Sequence, residues 1–264
     1  MYDFAYQKPS SLADAVKTLA ADGDAKALAG GQTLIPVLKQ RLNKPTTVVD
    51  LSKLDLAGIK VTGDSVTIGA MTTHAAVAAS ADVKRAIPAL AALAGGIGDI
   101  QVRNLGTIGG SMANNDPSAC YPSAVLALGA TITTNKRSIG ADDYFRGMFT
   151  TALEAGEIIT SVSFPIPAKA AYIKFKNPAS RYAMVGVFVA TGPKGTRVAV
   201  TGAGQRGVFR HSAAEKALSS NFSAAALDGV AIPTDNMNSD IHASAPYRAH
   251  LVGVVTKRAV AAAG

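Results

Sequence analysis

Six glycines, Gly95, Gly96, Gly98, Gly106, Gly109 and Gly110, fall within the twenty-one residues from Gly95 to Asn115, a stretch without a clear hydrophobic period. It reads as one long loop. Structureless loops of that length are uncommon inside a compact domain unless they bind something, and glycine lets backbone approach a ligand where any Cβ would obstruct it.

Within it, Gly106-Thr107-Ile108-Gly109-Gly110-Ser111 has a counterpart near the N-terminus, Leu28-Ala29-Gly30-Gly31-Gln32-Thr33-Leu34-Ile35-Pro36, where a strand gives way to a helix. Successive backbone N–H groups in such turns offer donors to pyrophosphate oxygens, and Thr33, Thr107 and Ser111 can add hydroxyls. Either loop taken alone is equally well a tight turn of an α/β fold.

The surrounding pattern organises these loops. Phe4 to Gln7, Lys26 to Ala29 and Thr47 to Asp50 read as strands. Between them lie helices opened by Ser11-Leu12-Ala13-Asp14, which resembles a capping box, and by Leu34. The first fifty-five residues therefore form a small β-α-β-α-β unit. Ile59–Thr62 and Ser65–Ile68 form a hairpin about Gly63-Asp64, and Thr72 and Thr73 cap a helix through Ala79. A further helix is expected over Val83–Leu93, another over Tyr121–Leu128, and strands over Ala130–Thr134 and Ile158–Phe164. Pro165-Ile166-Pro167 is the clearest punctuation, which divides the chain into parts 1–55, 56–167 and 168–264. The last part carries strands over Ala171–Lys176, Val185–Thr191 and Arg197–Thr201, with helices over Ser212–Leu218 and Tyr247–Ala262. The fold class expected is α+β.

A third glycine motif is a decoy. Gly202-Ala203-Gly204-Gln205-Arg206-Gly207 satisfies G-x-G-x-x-G, but a dinucleotide fingerprint opens a helix at once and returns to a parallel strand. Here Val208-Phe209-Arg210 intervene, and too little chain remains for a Rossmann sheet.

Composition excludes other chemistry. The one cysteine, Cys120, rules out an internal disulfide framework and an iron–sulfur cluster held by the usual four thiolates. The four histidines lack metal-ligand spacing, so no metal site is expected. The +8 formal charge is scattered rather than gathered in a basic run, which fits acidic partners or an anionic cofactor and not nucleic acid. Apolar runs such as Ala124–Ile132 fall short of the ~20 residues of a membrane span, and the N-terminus lacks a signal-peptide pattern; a cytoplasmic protein is expected.

Taken together, Ala29-Gly30-Gly31-Gln32-Thr33 and Gln101-Val102-Arg103-Asn104-Leu105-Gly106-Thr107-Ile108-Gly109-Gly110-Ser111, about seventy-five residues apart, resemble the medium, flavin-binding chain of the xanthine dehydrogenase and carbon monoxide dehydrogenase family. The resemblance continues through Asn115-Asp116-Pro117, Gly156-Glu157-Ile158-Ile159, Tyr172-Ile173-Lys174-Phe175-Lys176 and Tyr247-Arg248, in order along the whole chain. It implies a vanillyl-alcohol-oxidase-type (PCMH-type) FAD-binding domain in two α/β parts, followed by a smaller C-terminal α+β domain. It also implies that both glycine loops, Leu28 to Ile35 and Thr107 to Ser111, cradle the FAD pyrophosphate, with Ile97, Asp116, Cys120, Ile159, Lys174 and Tyr182 at or near the flavin and Tyr182 stacking beside the isoalloxazine. On residue type alone Tyr182 equally suits a core aromatic, Lys174 a surface lysine and Asp116 a helix cap.

The resemblance further implies a dimer of heterotrimers. A large subunit would hold the molybdenum cofactor and oxidise substrate, and a small subunit would carry two [2Fe–2S] clusters. The flavin chain would pass electrons to NAD, a quinone or oxygen. Two departures bear on flavin potential and acceptor: Cys120 stands where many relatives have aspartate, and Arg181 where many have an acidic residue. The competing readings are a free-standing FAD-dependent oxidoreductase of the same fold and a non-catalytic scaffold that has lost FAD.

Overall fold

The computed structural model describes residues 1–264. It begins with the β-α-β-α-β unit: β1 (Ala5–Gln7), α1 (Leu12–Ala21), β2 (Lys26–Leu28), α2 (Leu34–Lys39) and β3 (Thr47–Asp50). Its three strands are parallel in the order β1-β3-β2. Ser11 caps α1 by accepting from the Asp14 N–H at 3.1 Å, and its hydroxyl donates to the Asp14 carboxylate at 2.6 Å. Leu12, Val16 and Leu19 then fall on one face, over Val49, Leu51 and Leu54. β2 is one of the two edge strands and is only partly buried.

The hairpin of β4 (Ile59–Thr62) and β5 (Ser65–Gly69) leads into six short helices: α3 (His74–Ala79), α4 (Ala81–Ala86), α5 (Pro88–Gly95), α6 (Ile100–Leu105), α7 (Ile108–Asn114) and α8 (Tyr121–Leu128). Thr73 alone caps α3, whereas Thr72 donates to the Gly58 carbonyl. The helix expected over Val83–Leu93 is two helices. Pro88 disfavours a helical residue before it, and Ile87 is accordingly extended, with φ −140° and ψ 74°.

The glycine-rich stretch also departs from expectation, since most of it is helical. α6 and α7 are single-turn to two-turn helices capped by Asp99 and Thr107, whose side chains accept from Val102 and Gly110 N–H groups. Helices of six and seven residues are too short for a 3.6-residue period to register in the sequence.

Next come β6 (Thr131–Thr134), β7 (Ser138–Gly140), α9 (Ala141–Tyr144), the two-strand ribbon β8 (Phe145–Gly147) and β9 (Thr150–Thr151), and β10 (Ile159–Pro165). β10 is the central strand of an antiparallel five-stranded sheet ordered β4-β5-β10-β6-β7. The chain ends with β11 (Lys169–Lys176), β12 (Ala183–Gly192), β13 (Gly195–Thr201), β14 (Phe209–Arg210), α10 (Ser212–Ser220) and α11 (Ala245–Ala263).

This last antiparallel sheet, β11-β12-β13-β14, is covered on both faces. Val185, Val187, Val189, Val198 and Val200 point to α11, where Val252, Val255 and Ala259 meet them. Phe188, Ala190 and Ala199 point the other way, into the core built around α5 and α8. Strand alternation thus joins the C-terminal sheet to the rest of the molecule through a shared core. The decoy reading of Gly202–Gly207 holds: the segment is a turn from β13 into the antiparallel β14 and opens no helix. No helix is long and apolar enough to cross a membrane.

Candidate functional site

The three sheets converge on one cleft of about 810 Å³, near the upper end of the range for a cofactor or substrate site. The β2–α2 loop forms one wall through Ala29, Gly30, Gly31, Gln32, Thr33 and Leu34. Thr107, Gly109, Gly110 and Ser111 form the wall beside it. Ile97, Asp116, Cys120, Ile159, Lys174 and Tyr182 line it as well. Three residues expected at the site do not line the cleft. Leu28 ends β2, Ile35 lies on the outer side of α2, and Ile108 is fully buried in the central core.

The glycines let two loops touch. A Cβ at Gly30 would lie 1.9 Å from the Leu105 carbonyl oxygen, and one at Gly109 would lie 2.7 Å from the Ala70 carbonyl oxygen. Gly31 has φ +71°, a conformation that side chains disfavour. In the first loop the N–H groups of Gly30, Gly31, Gln32 and Thr33 donate to nothing within the chain. A row of free donors beside a cleft is the cradle an anionic pyrophosphate requires.

The second loop works differently. Ile108 and Gly109 N–H groups bond Thr72 and Ala70 carbonyls at 3.1 and 2.8 Å, and Gly110 N–H bonds Thr107 Oγ1 at 3.1 Å. Ser111 N–H bonds the Thr107 carbonyl. This loop therefore offers the hydroxyls of Thr107 and Ser111, together with close backbone, rather than a second row of free N–H groups.

Tyr182, also on the cleft lining, is 54% exposed, which removes the core-aromatic reading. It sits on a loop organised by the buried Asn177, whose Oδ1 accepts from the Ala179 and Ser180 N–H groups at 2.9 and 3.1 Å. Asn177 N–H also donates to the Tyr182 carbonyl at 2.8 Å, and Arg181 adopts φ +62° to make the turn. Burial raises the Tyr182 pKa, with Asp116 and Cys120 adding to the shift. Asp116 caps no helix. Its Oδ1 accepts from the Ser118 N–H at 2.8 Å in a tight turn, and it faces the cleft.

Lys174 is no free surface lysine: its Nζ donates to the Gly96 carbonyl at 2.7 Å and lies 3.6 Å from Cys120 Sγ. Cys120 is 6% exposed, packed in the central core with its edge on the cleft. Behind it the Tyr172 hydroxyl is buried without a hydrogen-bond partner, and burial pushes its pKa up.

Two further lining residues are not among those the sequence singles out for the site, although Glu157 lies in the Gly156–Ile159 stretch. Glu157 is held by Arg137 Nε at 3.0 Å, the Thr134 hydroxyl at 2.8 Å and the Glu154 N–H at 2.8 Å, so its carboxyl is depressed to about 2. It fixes the turn that delivers Ile158 and Ile159 to the cleft. His74, first residue of α3, is buried against Tyr121, with ring centroids 5.4 Å apart. Desolvation, with Arg103 adding, lowers its pKa to about 4.

A cleft built on paired glycine loops across residues 28–111 coincides with a known family. Residues 2–167 match the model of the FAD binding domain in molybdopterin dehydrogenase. The chain belongs to this family. It is 35% identical to the carbon monoxide dehydrogenase medium chain of Afipia carboxidovorans, over 97% of this chain and 95% of that one. It is 36% identical to the nicotine 6-hydroxylase medium subunit of Paenarthrobacter nicotinovorans, over 98% of this chain and 96% of the relative. Among solved structures, reconstituted CO dehydrogenase from Oligotropha carboxidovorans superposes with a TM-score of 0.92 at 34% identity, covering 99% of this chain and 98% of that chain. The family resemblance and the α+β architecture read from the sequence are thereby borne out. So is the assignment of FAD as the cofactor: the chain is an FAD-binding medium subunit of the molybdenum hydroxylase family. The residues present fit FAD, because the free N–H row and the exposed tyrosine line one cleft.

Proposed function

We propose that this chain is the electron relay of a cytoplasmic molybdenum hydroxylase, holding FAD between an iron–sulfur subunit and a terminal acceptor. The observation that carries the reading is the free N–H row of Gly30 to Thr33, set against the Thr107 and Ser111 hydroxyls in a cleft that ends at Tyr182. The N–H row and the hydroxyls bind the pyrophosphate, each charge-assisted hydrogen bond contributing about 1.5–3 kcal/mol. Ala29 and Leu34 close the wall around it, and Ile97 and Ile159 give the flavin end an apolar lining. Tyr182 stacks on the ring, while Lys174, Asp116 and Cys120 set the charge around it. A bound flavin takes up electrons singly or in pairs, which suits a relay between one-electron clusters and a two-electron acceptor.

The partners follow from what this sequence lacks and from its relatives. One cysteine cannot supply the thiolates of two [2Fe–2S] clusters, so a small subunit carries them and a large subunit carries the molybdenum cofactor. The relatives bear the names of medium chains, which supports a heterotrimer, and we extend this to a dimer of heterotrimers. The chain divides into residues 1–55 and 56–167, which form the FAD-binding part, and 168–264; the three sheets and the span of the family match support that division.

Acid precipitation of the purified chain should release FAD into the supernatant, and the chain should turn over no substrate until the two partners are added. Release of FMN, or robust oxidation of a small molecule by the chain alone, would replace this reading with the free-standing oxidoreductase. A chain that rejects FAD would replace it with the scaffold.

A further inference from the structure

His74 lies outside both glycine loops, yet it is built into the cleft beneath the second one. Its backbone N–H donates to the Gly106 carbonyl at 2.9 Å, and a Cβ at Gly106 would lie 2.7 Å from its Nε2. The imidazole is 5% exposed and tilted 49° against Tyr121, so its orientation is fixed. Nδ1 is buried without a partner, whereas Nε2 keeps contact with solvent and bonds nothing in the chain.

We propose that His74 is a cofactor-contacting residue, donating a hydrogen bond from Nε2–H to the oxygen-rich part of FAD held by the two glycine loops. The proposal rests on the FAD reading above and extends it to a residue outside the glycine motifs. The tautomer follows from burial. A buried unpaired N–H is rarer and more costly than an under-satisfied acceptor, so the proton sits on Nε2 and the orphan lone pair on Nδ1. Arg103 from α6 and Tyr121 from α8 face the ring; the nearby guanidinium and the desolvation both oppose a second proton. His74 therefore acts as a neutral donor. Phenylalanine would keep an aromatic ring against Tyr121 but lose the donor; glutamine places an amide donor close to the Nε2 position.

The test titrates FAD into the flavin-free full-length chain for wild type, His74→Phe and His74→Gln. Thermal unfolding of each flavin-free chain is measured alongside, and the His74 Nε2–H resonance is followed by ¹⁵N NMR. His74→Phe should raise the FAD Kd by about tenfold or more, the loss of one hydrogen bond to a charged group, while leaving the flavin-free melting point unchanged. His74→Gln should recover part of the affinity, and the wild-type Nε2–H resonance should move on FAD addition. A wild-type Kd in His74→Phe, or an unmoved resonance with equal losses in both variants, would overturn the proposal. If His74→Phe fails to fold, the glutamine variant and the resonance decide it. Wild type that binds no FAD would instead overturn the FAD reading, and this inference with it.

Discussion

Gly30 lies so close to Leu105 that its missing Cβ would fall 1.9 Å from the Leu105 carbonyl oxygen. The first glycine loop and the end of α6 are thus in backbone contact, and the spacing of the two cleft walls is set there. Gly30→Ala should force them apart, costing about 1–3 kcal/mol of stability and weakening FAD binding on the order of a hundredfold. Gly23→Ala, where an added Cβ meets nothing within 4 Å, serves as the control and should leave FAD affinity unchanged. FAD titration of both variants checks the pair; equal affinities would show that the walls tolerate separation.

Glu157 should make the protein acid-sensitive. Its folded-state pKa of about 2 lies below the ordinary value of 4.5 because Arg137, the Glu154 N–H and Thr134 hold the carboxylate. A depressed carboxylate contributes stability that is full above the unfolded pKa and is lost as pH falls from about 4.5 towards 2. Arg137 is partly exposed, so screening reduces the contribution to roughly 1–2 kcal/mol. Urea unfolding at pH 7 and pH 3 should show Glu157→Gln destabilised at the first, with only about half or less of that deficit left at the second.

Much of this architecture was legible in the sequence, for identifiable reasons. The β-α-β-α-β unit declared itself through Ser11 and Asp14 and through the spacing of Leu12, Val16 and Leu19, all of which do in the structure what their residue types suggest. α6 and α7 leave no mark in the sequence because two capped helices of six and seven residues never complete a visible period. The site was legible where backbone forms it, at Gly30, Gly31, Gly109 and Gly110, since glycine marks close approach. It was not legible at His74 or Glu157. Their roles depend on which distant chain segments pack over them: Gly106 and Tyr121 for the first, Arg137 and Thr134 for the second. The division of labour between the loops was also hidden, because only the fold shows that Ala70 and Thr72 consume the donors of Gly109 and Ile108.

His74 should add a second acid sensitivity at higher pH. Its folded-state pKa of about 4 lies below the unfolded 6.5 because burial disfavours the imidazolium. The unfolded chain therefore binds the extra proton first, and stability falls as pH drops from 6.5 towards 4. The flavin-free wild type should lose up to about 2 kcal/mol between pH 7.5 and pH 5 from this group. His74→Phe should abolish that slope. Denaturant midpoints across this range, at equal m-values, provide the measurement.

Tyr182 and Asn177 should act on FAD as one unit. Tyr182 is only half-buried on the cleft lining, so the loop that carries it positions the ring. Asn177 supplies that hold through four hydrogen bonds: its Oδ1 to Ala179 and Ser180 N–H, its N–H to the Tyr182 carbonyl, and its carbonyl from Arg181 N–H. Substituting the side chain removes the first two and frees the turn in which Arg181 holds φ +62°. Tyr182→Ala should weaken FAD binding about tenfold through lost aromatic contact, with little change in stability because the ring is half in solvent. Asn177→Ala should weaken binding by a smaller factor, because the ring survives but must be ordered on binding. It should also destabilise the fold by about 1 kcal/mol, since the Ala179 and Ser180 N–H groups lose the acceptor that shapes the turn. Once Tyr182 is gone, the loop has nothing to position, so Asn177→Ala should cost no further affinity in the Tyr182→Ala background. A double-mutant cycle on the FAD Kd measures that coupling directly. Strictly additive losses would mean that Asn177 supports the cleft by some route other than Tyr182.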